Sequence, residues 1–307
     1  MHHNLAAIGR SGFLAALLLV GTATPASAAP TQQSTSSITG LVFAMEASPD
    51  DITSEIVVHD LASGATRVLT HNDVQDSQPA ATRDGAKVAF IRAAAPGSSC
   101  CPGPGDLWLM NKDGTGQQQL THLAAPMTNP AWSPDGSTIA VAISGNNPRL
   151  TFLSRTGTVI RSWPGRYDHP SYSPDGKKLV VTLPSSATSS FDLAVLNAST
   201  GAVVQWIRRN TGLIEEFPSW SPDGRYILYN RCCAPGDWSL RLVTPQGATV
   251  RSFGAGYTGA FSPDGSLVLN ASKGSVFDVQ SGAFVAHLFP QFSLSFPSWS
   301  AGSLPPS

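Results

Sequence analysis

The chain has 307 residues, with 19 Lys and Arg against 20 Asp and Glu, and only 13% of it is charged. A balance so near neutrality excludes a protein held to nucleic acid or to an anionic membrane surface by its net charge. With 28 glycines, 24 prolines and 41% hydrophobic residues, it reads as a globular chain rich in turns.

The first segment is a targeting sequence. Arg10 precedes the apolar run Gly12–Val20, and Ala26-Ser27-Ala28 supplies an A-x-A cleavage site, so residues 1–28 read as a secretory signal cut near Ala28. The run is too short to span a bilayer as a helix, and no cysteine adjoins the cut to carry a lipid. The expected product is secreted or periplasmic, in the cell envelope or beyond it. Residues 29–37 read as a disordered leader, and 38–307 as one domain.

From Thr39 onward the chain becomes short apolar, β-branched runs bounded by Gly, Pro and Ser, which are strand signals. Gly40–Met45, Glu55–Leu61 and Ala65–Thr70 come first. A peptide then recurs: Pro130-Ala131-Trp132-Ser133-Pro134-Asp135-Gly136, Pro170–Gly176, Pro218–Gly224 and Gly259–Gly265, with decayed copies at Pro79–Gly85 and Pro297–Gly302. The closing glycines stand at 85, 136, 176, 224, 265 and 302, a spacing of roughly 40–50 residues that marks a propeller or a solenoid. Proline is expected to open an inner strand and the aromatic to pack between units. Ser-Pro-Asp-Gly is expected to form a tight turn, which makes its aspartates architectural.

Each turn is followed by a second strand (Lys87–Ile91, Thr138–Ile143, Lys178–Leu183, Tyr226–Tyr229, Leu267–Asn270) and then a third (Asp106–Met110, Leu150–Leu153, Phe191–Leu196, Ser239–Val243, Ser275–Val279). Glycine turns at 64, 114, 157, 201, 247 and 282 lead to fourth, outer strands such as Gln118–Thr121 and Val203–Ile207. No segment keeps a helical period, so the class is all-β. Residues 39–70 lack an inner strand and 297–300 supply one with nothing after it. Joined, they complete a sixth four-stranded blade and close the ring, removing the exposed edges of an open array. Ser48-Pro49-Asp50-Asp51 imitates the turn but lacks its aromatic.

Pro-x-aromatic-Ser-Pro-Asp-Gly before an apolar strand, together with the Leu69-Thr70 and Leu120-Thr121 endings, resembles the WD40-like repeat of TolB-type six-bladed propellers. The resemblance covers 38–307 and implies that fold. The α/β domain of TolB proteins and the hydrolase domain of prolyl-oligopeptidase-type enzymes are both expected to be missing, leaving a bare propeller.

In this topology the residues just before each inner strand should line the channel mouth. Asp76, Gln78, Asn129, Asp168, His169, Glu215, Glu216 and Tyr257 are therefore the candidate ligand contacts. Their acidic, amide and aromatic mixture suits a cationic peptide segment or a sugar. Cys100-Cys101 and Cys232-Cys233 lie between second and third strands of opposite blades. Export makes disulfides expected, and the span across the ring favours a vicinal bond in each pair over cross-pairing. His71, His122 and His169 raise comparison with six-bladed oligogalacturonate lyases, in which histidines and a glutamine hold a metal; here their convergence with Gln78 would need folded loops. No Gly-x-Ser-x-Gly elbow occurs. The expectation is a monomeric binding module for a peptide, protein or envelope component, with a small ligand as a further possibility. No catalytic set, metal, cofactor, nucleic acid or membrane span is expected. The alternatives are a metal-dependent polysaccharide lyase and a purely structural envelope protein.

Overall fold

The computed structural model describes residues 38–47, 53–95, 103–188, 190–232, 238–289 and 294–304. The expected signal, the leader and the Ser48–Asp51 imitation lie outside the described residues.

The strands fall into antiparallel sets of four. Strands β4 (Asp76–Ala81), β5 (Lys87–Ala93), β6 (Gly105–Asn111) and β7 (Gln118–Gln119) form one set, and β8 (Met127–Trp132), β9 (Thr138–Ile143), β10 (Arg149–Ser154) and β11 (Val159–Pro164) the next. Strands β12 (Asp168–Tyr172), β13 (Lys178–Pro184), β14 (Phe191–Asn197) and β15 (Val203–Arg208) form the third. A single parallel bridge from Phe191 to Ile214 joins that set to β16 (Ile214–Trp220), β17 (Ile227–Cys232), β18 (Ser239–Val243) and β19 (Thr249–Ala255). The fifth is β20 (Gly259–Phe261), β21 (Leu267–Asn270), β22 (Ser275–Asp278) and β23 (Phe284–His287). The sixth places β24 (Ser295–Ser300) beside β1 (Leu41–Ala47), β2 (Ser54–Asp60) and β3 (Thr66–Val68). The C-terminal strand thus completes the set that the N-terminal strands begin. Strand β24 packs beside both β4 and β20, so the ring is closed.

Why second and third strands are apolar along their whole length follows from their place between two neighbours. Val88 and Phe90 pack back against Leu41, Phe43, Ile56 and Val58. Ala89 and Ile91 pack forward against Ile139, Val141 and Ile143. Successive side chains point to opposite faces, and here both faces are core. Outer strands face water on one side, and β11 accordingly alternates between exposed and half-buried residues.

The repeated turn is built as its residues suggest. Ser133 Oγ donates to Asp135 Oδ1 (2.5 Å) and accepts from Thr138 N–H (2.9 Å), while Ser137 N–H donates to Asp135 Oδ1 (3.0 Å). Gly136 takes φ +65°, the conformation glycine adopts without strain. Thr82 and Asp84 repeat the geometry with threonine in place of serine. The Leu-Thr endings are hooks. Thr121 Oγ1 accepts Leu107 N–H (3.0 Å) and donates to Asp106 (2.8 Å), and Thr70 serves Ile56 and Glu55 in the same way. A side chain thereby continues strand pairing after the backbone ladder has ended. At Gly157, a Cβ would strike the carbonyl oxygen of Leu120 in the preceding blade, which is why the third-strand turn needs glycine there.

One expectation is corrected. Proline does not open the inner strand. Strand β4 begins three residues before Pro79, and its register against β5 slips between Ser77 and Ala80. The same slip separates Thr128 from Ala131, Asp168 from Ser171 and Glu216 from Ser219. Each X-Pro pair sits in a β-bulge, where proline's missing N–H breaks no ladder bond. A 3₁₀ turn over Ala271–Lys273 is a small departure from an otherwise all-β chain.

Candidate functional site

The bulges build the throat of the channel. The residue before each proline has positive φ: Gln78 (+54°), Asn129 (+28°), His169 (+50°), Phe217 (+53°) and Phe296 (+52°). Pre-proline residues normally stay extended, so this backbone holds only because the surrounding structure imposes it. The fifth blade lacks the proline and presents Thr258-Gly259 instead. All six positions help line one central cavity of about 320 Å³, with prolines and strand residues forming the walls below. The throat has polar and apolar sides. Gln78, Asn129 and His169 come from three consecutive blades, and Asn129 N–H donates to Gln78 Oε1 at 2.5 Å. Phe217, Thr258 and Phe296 come from the other three.

An aromatic series runs outward from this ring. His169 lies 4.1 Å from Phe217 between ring centroids, Phe217 lies 4.9 Å from Tyr257 and 5.6 Å from Phe296, and Tyr257 lies 5.6 Å from Trp238. Exposure rises along the series, from 8% at His169 to 39% at Tyr257 and 49% at Trp238. His169 is buried with its Nδ1 unpartnered among the described residues, and burial lowers its pKa to about 3, so the ring is neutral.

Beside the series stand two carboxylates from neighbouring inner strands. Burial, reinforced by the charge of Asp168, raises the pKa of Glu216 to about 7. Burial also raises that of Asp168, against the opposing effects of a bond from Thr128 (3.1 Å) and the charge of Arg166. Glu216 therefore exchanges a proton near neutrality. Its folded pKa exceeds the ordinary value of 4.5, so the folded state binds more protons than the unfolded between those pH values. Stability must fall as pH rises through that window. Glu216→Gln is accordingly expected to change little at pH 4.5 and to stabilise by about 1–2 kcal/mol at pH 8, after discounting for partial exposure. Paired calorimetric melts at the two pH values measure this.

The structure separates the other predicted residues by role. Asp76 is fully buried and takes a two-pronged bond from Arg92, Nε to Oδ1 and Nη2 to Oδ2, both 2.7 Å, plus Asn72 Nδ2 at 2.8 Å. Glu215 is also fully buried, with Arg231 at 3.1 Å and Arg208 at 3.6 Å; burial pushes its pKa up and the two arginines pull it back. These two carboxylates are tied up in ion pairs, whereas Asp168 and Glu216 directly precede the throat residues His169 and Phe217. His71 and His122 are exposed on loops whereas His169 is buried in a strand, so the three are not brought together. Among the described residues no group of three His, Cys, Asp or Glu is placed to share a metal. Cys232 ends β17, 3% exposed and disulfide-bonded. Cys100, Cys101 and Cys233 lie outside the described residues, and so does their pairing. Phe217 and Phe296 close two of the segments expected to line the mouth, Glu215–Phe217 and Leu294–Phe296, and both line the cavity; Trp238 is the residue that sequence reasoning missed.

Comparison with known proteins follows the same lines. Residues 101–283 match the family described as the TolB beta propeller domain, PD40. The uncharacterized peptidase YuxL of Bacillus subtilis (strain 168) is 24% identical over 182 residues, 59% of this chain and 25% of that one. The chain thus spans a quarter of that relative's length. TolB from Acinetobacter baumannii superposes with a TM-score of 0.69 at 17% identity, over 86% of this chain and 67% of that one. A chain of the nidogen/laminin complex superposes with a TM-score of 0.62 at 10% identity, over 87% of this chain and all of that one.

Proposed function

The chain belongs to the TolB β-propeller domain family, and on that premise we propose that it is an exported binding module. It takes up a peptide or protein segment at the loop face, where the channel opens. The observation that supports this is the aromatic series from His169 to Trp238, which climbs from a buried throat to solvent. Large apolar rings left half exposed at the mouth of a cavity are what a recognition surface needs, because aromatic anchors carry much of the energy of protein contacts. A chain of similar fold takes part in the nidogen/laminin complex. Export rests on residues 1–28 and on the disulfide of Cys232, a bond favoured in oxidising compartments. Vicinal pairing within Cys100-Cys101 and Cys232-Cys233 is part of the same proposal.

Panning a phage-displayed library of random linear peptides on the mature protein tests this. A shared peptide motif is expected to emerge, and binding should weaken at least tenfold in a Tyr257→Ala, Trp238→Ala variant whose melting point is unchanged. No enrichment, or enriched peptides that bind the variant equally well, would overturn the proposal.

A further inference from the structure

Three features of the mouth bear on what kind of segment it would select. The first is charge. Asp168 and Glu216 come from adjacent inner strands and are close enough for Asp168 to raise the energy of the ionised Glu216. Three arginines are committed to other carboxylates. Arg92 is bound to Asp76, and Arg208 and Arg231 to Glu215. The cation that acts on Asp168 is Arg166, which is exposed on the loop before it. Two carboxylates crowded in a half-buried site favour a positive group that arrives between them.

The second feature is the ring series. Phe217, Tyr257 and Trp238 form a tilted series with centroids 4.9 and 5.6 Å apart, exposed toward its outer end, and a guanidinium or ammonium group is attracted to aromatic faces. Their stems offer the apolar contact that the long methylene chain of arginine or lysine uses. The third is His169. Its Nδ1 lies buried at the throat without a partner among the described residues, and because the ring is neutral it adds no repulsion against a cation. A carboxylate pair alone would define no site. An orphaned nitrogen on the His169 ring, which lines the cavity and whose centroid lies 4.1 Å from that of Phe217, supplies the independent mark of a missing ligand group.

We propose that the mouth is a receptor for one basic side chain of the captured segment, an arginine or lysine that threads the Trp238–Tyr257–Phe217 series and places its charge beside Asp168 and Glu216. This rests on the reading of the domain as a binding module and narrows it to a chemical class. A bound cation favours the ionised carboxylate, so binding at pH 7 releases a proton from Glu216, and affinity rises as pH rises from 6 to 8. Thr128 is bonded to Asp168, the positive charge of Arg166 acts on it, and His169 stays neutral across that range.

The test is calorimetric titration of the full-length mature protein with the capped pentapeptides Gly-Ser-X-Ser-Gly, where X is arginine, lysine, norleucine or glutamate. Arginine and lysine peptides are expected to bind at least tenfold more tightly than norleucine, with proton release seen as a heat that depends on the buffer. The pair Glu216→Gln, Asp168→Asn should abolish that preference while leaving norleucine binding unchanged, which also shows that the variant is folded. Equal or tighter binding of the norleucine or glutamate peptide would overturn the inference, and so would a basic preference that survives in the variant. If none of the four peptides binds while library peptides do, the binding module stands and the basic-side-chain inference falls. If library peptides fail as well, both fall.

Discussion

A chain ended at Leu294 is expected to lose its cooperative fold. Strand β24 is a single strand, yet it carries the closure. It pairs with β1 through Leu41–Ser300, Val42–Trp299 and Phe43–Ser298, and it supplies the innermost wall of its blade. Trp299 is 8% exposed, packs with Val42 and Ala260, and donates Nε1–H to Thr39 O at 3.1 Å. Ser298 Oγ accepts Ala81 N–H from the next blade at 3.0 Å. Beyond the strand, Ala301 N–H donates to Arg83 O and Leu304 N–H to Asp60 Oδ2. Removing a buried tryptophan alone costs about 3–5 kcal/mol. Unpairing the strand as well exposes one whole edge of β1 and breaks the seam between the first and last blades. The total exceeds about 5 kcal/mol, which is comparable with the whole stability of many domains. Circular-dichroism melts should show a broad transition or none, and size-exclusion chromatography should show association through the open edge. A truncated protein that melts cooperatively within a few degrees of the intact one would refute the closure as described.

Asp76→Ala is expected to be the most damaging single substitution at the loop face. It would leave the Arg92 guanidinium, 16% exposed, without the carboxylate that meets it on both prongs. Arg92 lies over the Trp108 ring at 4.5 Å, which keeps it in place and hinders its escape to water. Breaking a buried pair from one side typically costs about 3–5 kcal/mol, because the surviving charge is left uncompensated. Over a domain of this size, the melting point should drop by about 5–10 °C. Peptide binding at the mouth should persist below the new transition, since Asp76 is fully buried. A stability change under about 1 kcal/mol would show that Arg92 finds other partners.

Fold and site differ in how far they can be read from the residues. The blades are legible because each local signal agrees with the others. Ser-Pro-Asp-Gly makes its own turn, the apolar runs leave no choice of face, and the repeat multiplies the signal. The residues of the throat are legible by position, but their backbone conformation is not, for a specific reason. Gln78, Asn129, His169, Phe217 and Phe296 occupy a conformation that their following prolines disfavour, so local rules read them as extended. Glu215 and Glu216 are neighbours of one type, and ordinary strand alternation, with Glu215 opposite Arg231 and Glu216 opposite Asn230, sends one to the arginines and leaves the other away from them. Trp238 came close only through the folding of the loop face, with no mark in its immediate sequence.

The five X-Pro positions, with Thr258 in the place of a sixth, carry a last consequence. The backbone repeats around the axis, but the side chains at the throat do not, since amides and imidazole occupy one arc and phenyl rings with Thr258 the other. A molecule entering a round opening could spin freely; one entering this opening meets a different chemistry at each angle. The bulges thus turn a near-symmetric ring into a lock with a single rotational setting, fixing which way round a guest must face as well as how deep it goes.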